Sequence, residues 1–143
     1  MSSLVKVAAV HAAPVFLDRA ATTAKANSIL REEANAGAEL VAFPETYIPA
    51  FPVWAALWAP IDNHDLFTLM AEQSVSLHGP EIAALRREAR TLGVIVSMGI
   101  SESSSASVGA IWNSNVLIGS NGDILNHHRK LVPTFYEKLV WAP

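Results

Sequence analysis

Two hydrophobic periods alternate along the chain. "LVKVAAVHAA" (residues 4–13) is short, apolar on both faces and ends at Pro14, the pattern of a strand covered on both sides. From Asp18 the spacing becomes helical. Ala26, Ile29, Leu30 and Ala34 share one face, and Lys25, Arg31, Glu32 and Asn35 lie outside it. Asp18 can cap this helix by accepting from the backbone N–H of Ala20 or Ala21, and Gly37 stops it. "AELVAF" (38–43) reads as a second buried strand. Strand, helix, strand predicts a parallel crossover unit, because parallel strands need a long connection.

Residues 44–61 hold four prolines and no period, which predicts a structured loop. A helix is expected over 63–75. "HGPEIAALRREARTLG" (78–93) predicts a better one: Pro80 suits a first turn, Ile82, Leu85, Ala89 and Leu92 form a stripe, and Gly93 ends it. "VIVSMGI" (94–100) is a third strand, and "SESSSASVGA" (101–110) reads as a polar, flexible connection. "IWNSNVLI" and "DILNHHRK" flank Ser120-Asn121-Gly122, and Asn-Gly between strand-like runs is a strong hairpin signal. The sheet is therefore expected to be mixed, parallel first and antiparallel later. The last residues are still apolar, with no closing helix or polar tail, an ending expected of a piece of a longer polypeptide.

Composition narrows the classes. At 143 residues and 51% hydrophobic, the chain is one domain or part of one. It can bury roughly 68–70% of its unfolded surface. A net charge of −3 without a basic block argues against nucleic acid or an anionic membrane as partner, and "HHRK" is too short to be a nucleic-acid footprint. No apolar run approaches the ~20 residues of a membrane span, and no signal peptide is read at the start, so a cytoplasmic protein is expected. Cysteine is absent, which removes disulfides and thiolate metal sites.

Three charged residues stand out. Glu45 follows the second strand directly, at the end where open α/β sheets place ligands. Four aromatics (Phe43, Tyr47, Phe51 and Trp54) fall within residues 43–54, and apolar walls would push the carboxyl up towards a general base near neutral pH. The plainer reading is a solvated loop acid. Lys130 ends the strand "ILNHHRK" and could hold an oxyanion or pair with Glu45; otherwise it is a surface cation. Glu137, seven residues on, could fix that lysine or form an ordinary salt bridge. Arg129 should face the other way from Lys130, and His127 from His128, so a shared metal on the two histidines is not expected. His11, His64 and His78 have no ligand spacing, and no metal is assigned. Tyr47, Phe51 and Trp54 could be core, or could line an apolar substrate pocket beside Glu45.

Taken together, "VKVAAVHAAP", "GAELVAFPETYIPAFPVW" and "WNSNVLIGSNGDILNHHRKLVPTFYEK" resemble the N-terminal half of the nitrilase (carbon–nitrogen hydrolase) superfamily, most closely its nitrilase branch. The resemblance covers essentially the whole chain. It implies an α-β-β-α sandwich, with residues 1–143 forming the N-terminal part of a single domain. It implies a Glu–Lys–Cys triad in which Glu45 matches the general base, Lys130 the cation that stabilises the tetrahedral intermediate, and Glu137 the second glutamate. Tyr47, Phe51, Trp54 and Asn113 are then expected in the substrate pocket. His11 stands where many relatives carry Gln, and Trp112 where many carry Tyr. No cofactor is implied, the substrate is a small nitrile or amide, and a homo-oligomer is expected. The family's cysteine lies a few dozen residues beyond the lysine motif, past the end of this chain. Losing the nucleophile costs about 10⁶ in rate in a hydrolase where it has been measured. The 143 residues alone are therefore expected to be inactive. An amidase or carbamoylase of the same superfamily, and a non-catalytic fragment or interaction subunit, are the alternatives.

Overall fold

The computed structural model describes residues 4–143. Its strands are β1 (Val7–Ala9), β2 (Leu40–Ala42), β3 (Val75–Ser76), β4 (Ile95–Ser104), β5 (Ser107–Ile118) and β6 (Ile124–Arg129). They form one mixed sheet in the order β1-β2-β4-β5-β6, with β3 pairing along β4 beyond the end of β2. The β1/β2, β2/β4 and β3/β4 pairs are parallel, and β4/β5 and β5/β6 are antiparallel. The helices are α1 (Arg19–Asn35), α2 (Trp54–Leu57), α3 (His64–Gln73) and α4 (Pro80–Leu92).

The helix signals act as expected. Asp18 accepts from the Ala21 amide at 2.8 Å, and α4 opens on Pro80 and ends on Gly93 in the left-handed region, φ 68°. Leu30 and Ala26 of α1 and Ile82, Leu85 and Ala89 of α4 are buried against Val41, Val96, Met98, Ile100, Val116 and Ile118 of the sheet. Each large aliphatic side chain buried this way contributes about 1.5–3 kcal/mol. An Arg31–Glu88 pair at 2.7 Å links the two helices over this core. The second face of the sheet is only partly covered. Towards β5 it carries a smaller cluster of Leu17, Trp54, Ala55, Met70, Ile111, Val140 and Trp141.

Four expectations change. The first strand is shorter than residues 4–13 and is covered on one face: Ala8 packs on the core, whereas Val7 is 57% exposed on the other side. The loop 44–61 contains α2, and Pro60–Asn63 form a 3₁₀ turn leading into α3. The helix expected over 63–75 ends at Gln73, and Val75–Ser76 are β3. Residues 101–110 are not a flexible connection. They are the arms of the β4/β5 hairpin, because Ser101 and Glu102 are buried with polar partners instead of being solvated. The hairpin at Asn121-Gly122 forms as expected, with Gly122 at φ 81°.

One local feature sets up the rest. The chain leaving β2 pairs with β4 through Phe43 N to Ser97 O at 2.8 Å, and pairs again through Ile48 N to Gly99 O at 3.2 Å. Between these two points Pro44–Tyr47 loop off the sheet as a tight turn, with Thr46 at φ 44° and Tyr47 N bonding Pro44 O. The turn crosses directly over Gly99. A Cβ there would lie 2.2 Å from Pro44 O, 2.5 Å from Thr46 N and 2.9 Å from Glu45 Cα. These contacts are with backbone, which cannot swing aside.

Gly99→Ala is therefore expected to destabilise the chain by about 1–3 kcal/mol or more, as overpacking does. Urea unfolding monitored by circular dichroism measures it, and an unchanged midpoint would contradict the close crossing.

Candidate functional site

The turn over Gly99 projects Glu45 from the second face of the sheet, at the carboxyl end of a parallel strand. Lys130 follows β6, and its backbone N–H donates to Asn113 O at 2.7 Å, so β5 holds it. Its ammonium donates to Glu45 Oε1 at 2.8 Å and to Glu137 Oε2 at 2.7 Å. Asn113 Nδ2 donates to the same Glu45 oxygen at 2.6 Å. Glu137 sits in a 3₁₀ turn, Phe135–Leu139, closed by a reciprocal capping box: its carboxylate also accepts from the Thr134 amide at 2.8 Å. Two carboxylates and one ammonium thus share a single hydrogen-bonded chain.

Burial differs among the three. The Glu137 side chain is 8% exposed, Lys130 30% and Glu45 47%. Burial pushes the Glu45 carboxyl up, but the hydrogen bonds from Lys130 and Asn113 and the lysine's charge outweigh it and hold the carboxyl below its ordinary value. The sequence-based expectation of a raised carboxyl is corrected accordingly: polar partners, not aromatic walls, surround it. Partial burial pulls the Lys130 ammonium down, but Glu137 and Glu45 together raise it above the ordinary lysine value. The cation is thus fixed between two acids, and its pairing with Glu45 favours the charged form of both.

A cavity of 310 Å³ opens over these groups, lined by Glu45, Gly99, Asn113, Ser114, Asn115, His128 and Lys130. Glu45, Lys130, Glu137 and Asn113 are thus brought together. Three aromatics stand apart from this lining. Tyr47 is 1% exposed in the main core, with its ring centroid 5.1 Å from that of Phe43. Phe51 packs edge-on against Tyr136 and Trp141. Trp54 lines a different cavity of 220 Å³ with Ala55, Pro60, Asn63, His64, Phe67 and Leu139. His128 in the lining was not foreseen as a site residue, although its parity on β6 matches that of Lys130. Thr134 was also missed, and the pattern Thr-x-x-Glu is its sequence signal. His127 and Arg129 face the opposite side of the sheet, where both meet Glu102.

The carbon–nitrogen hydrolase family model matches residues 6–143. This chain belongs to the carbon–nitrogen hydrolase family. It is 42% identical over 139 residues to an arylacetonitrilase of Hypocrea virens, covering 97% of this chain and 41% of that protein. It is 40% identical over 139 residues to a cyanide hydratase of Stereum hirsutum, covering 96% and 36%. The chain thus spans about two-fifths of the length of these curated relatives. Among solved structures, a double mutant of the amidase from Nesterenkonia sp. AN1 in complex with acrylamide superposes with a TM-score of 0.73 at 16% identity. That match covers 97% of this chain and 48% of the amidase. The shared fold is the nitrilase type, and this chain's mixed sheet with α1 and α4 on one face corresponds to about half of it. Among the described residues no helix is long and apolar enough to cross a membrane.

The reverse-face acid Glu102 gives the chain an acid-sensitive limb. Burial pushes its carboxyl up, but Arg129, Ser114 and His127 outweigh this and hold it at about 2, against an ordinary 4.5. A depressed carboxyl contributes stability above the unfolded value and loses it as the pH falls through the folded one. Urea midpoints should therefore drop between pH 4.5 and about 2, and Glu102→Gln should flatten that drop.

Proposed function

We propose that this chain is the N-terminal part of a nitrilase-type hydrolase that converts a nitrile to a carboxylic acid and ammonia. The observation that carries the reading is the Lys130 ammonium held between Glu45 and Glu137 in an open cavity at a strand end. Glu45 is the general base, Lys130 stabilises the charge that develops on nitrogen or oxygen, and Glu137 anchors Lys130. Lys130 and Asn113 keep Glu45 in the ionised form that a base needs. When Glu45 takes a proton, Lys130 keeps its charge and its second partner. The nucleophile is a cysteine thiol supplied from beyond Pro143, since none of the 143 residues is cysteine.

The thiol sulfur adds to the nitrile carbon while its proton passes through Glu45 to the nitrile nitrogen, giving a thioimidate. Water adds to that carbon, and the C–N bond breaks to release ammonia and leave a thioester. A second water, deprotonated by Glu45, cleaves the thioester to the acid and restores the thiol. Likeness to an arylacetonitrilase and a cyanide hydratase supports a nitrile over an amide as substrate. Asn113 borders the cavity and also orients Glu45, while Tyr47 belongs to the main core and Phe51 and Trp54 to the smaller cluster.

Ammonia release from phenylacetonitrile and phenylacetamide tests this on the polypeptide translated from the whole reading frame. Nitrile turnover is expected there, and none from the 143 residues alone. Glu45→Gln and Lys130→Ala should each lower the rate by about 10²–10⁴-fold or more. Turnover of the amide alone would point to an amidase. A frame that closes at Pro143, with no turnover, would favour an interaction subunit.

A further inference from the structure

Ile124 packs on the core at the start of β6, but beyond the irregularity at Leu125 nothing apolar tells the strand which way to face. Asn126, His127, His128, Arg129 and Lys130 are polar on both sides of the strand. Register is weakly specified in such a segment, and a slip of one residue turns every side chain to the other face. The backbone bond from Lys130 to Asn113 does not settle this, because a shifted strand can remake bonds of the same kind. The pairing with β5 is already irregular: Leu117 opposes Asn126 and Ile118 opposes Ile124, leaving Leu125 without a partner.

What does distinguish the two faces is Glu102. It lies on β4, with its side chain 4% exposed, on the face that carries Val96, Met98 and Ile100. Its carboxylate reaches across β5, accepting from Ser114 Oγ at 2.6 Å on the way. On β6 it receives Arg129 Nη2 at 2.5 Å and Nε at 3.1 Å, and bonds His127 Nε2 at 2.7 Å. The Arg129 guanidinium also lies 4.0 Å over the Trp112 ring, a cation–π contact that adds to its hold on this face. A buried carboxylate stripped of its partners is strongly destabilising. A slipped β6 would exchange His127 and Arg129 for His128 and Lys130, and an ammonium cannot reproduce the forked guanidinium contacts or the stacking on Trp112.

We propose that Glu102 is a positioning residue: by holding His127 and Arg129 on one face of β6, it fixes the parity that delivers Lys130 to Glu45 and Glu137 on the other. Its importance for catalysis rests on the proposed role of Lys130. Glu102 touches no group of the site cavity's acid–base chain itself. It acts through the strand, from behind the sheet.

None of the 143 residues is cysteine, so in the full polypeptide with any cysteine beyond Pro143 replaced by alanine the introduced pair supplies the only thiols. Asn115 and His128 are opposed across β5 and β6, so Asn115→Cys with His128→Cys should form a disulfide only in the native register. In that background, Arg129→Gln and Glu102→Gln should each lose most of the cross-link. In the chain without the cysteines, the same variants should return the Lys130 ammonium to the ordinary lysine value, read by NMR titration. Amide signals of α1 and α4 should stay unchanged, which separates a register change from unfolding. The double variant should be no worse than either single one, because the pair acts as one unit. Arg129→Lys should restore part of the cross-link. Arg129 is 43% exposed, so its variant carries the test if Glu102→Gln unfolds the chain. A cross-link and a Lys130 titration both unchanged in the folded Arg129→Gln variant would overturn the proposal. Neither readout uses turnover. A failure here leaves the hydrolase reading standing, and a failed ammonia assay leaves the register result standing.

Discussion

Lys130 donates to two carboxylates, one 85 residues earlier in the chain and one seven residues later. An ammonium shared in this way ties three otherwise separate pieces of structure to one point: the turn after β2, the end of β6 and the capped turn at Phe135–Leu139. Each acid has another donor as well, Asn113 for Glu45 and the Thr134 amide for Glu137, so neither depends on the lysine alone for its position. Long, flexible side chains ordinarily lose entropy when confined, and exposed ion pairs are worth little for that reason. Here the backbone supplies much of the ordering, through the Gly99 crossing on one side and the capping box on the other.

The two faces of the sheet carry different kinds of chemistry. One holds the aliphatic core and, at its polar end, Glu102 with its three partners. The other holds the acid–base chain and the cavity. Strand alternation lets adjacent residues of β6 serve both, with Arg129 locked behind the sheet and Lys130 working in front. A residue that never enters the cavity can therefore decide whether the cavity is equipped.

Much of the fold was legible because its signals are local. Asp18, Pro80, Gly93 and Asn121-Gly122 act through their own neighbours, and the strand–helix–strand spacing needs no distant information. The errors fall where a residue's partner is far away in sequence. "SESSSAS" looks solvated until Glu102 is seen to meet residues 25 and 27 positions later. Its parity with Val96, Met98 and Ile100 was the available clue, since a charge on a core face must find a counter-charge. Glu45 was expected to be raised by aromatic neighbours, yet Asn113 and Lys130, 68 and 85 residues on, reverse the sign. The acids and the lysine were identified from short motifs and converge. The aromatics beside Glu45 in sequence fold away from it, because the turn over Gly99 sends the carboxylate out and Tyr47 into the core.

The cavity above Glu45 opens on the sheet face that α1 and α4 leave bare, where Val7 also stands exposed. A layer packed on that face would form a further wall of the chamber. On the proposed roles of Glu45 and Lys130, the proton-handling groups would belong to one surface and much of the selection by size and shape to another. Such an arrangement would let the layer change and alter which molecules are admitted, with the chemistry beneath left as it was.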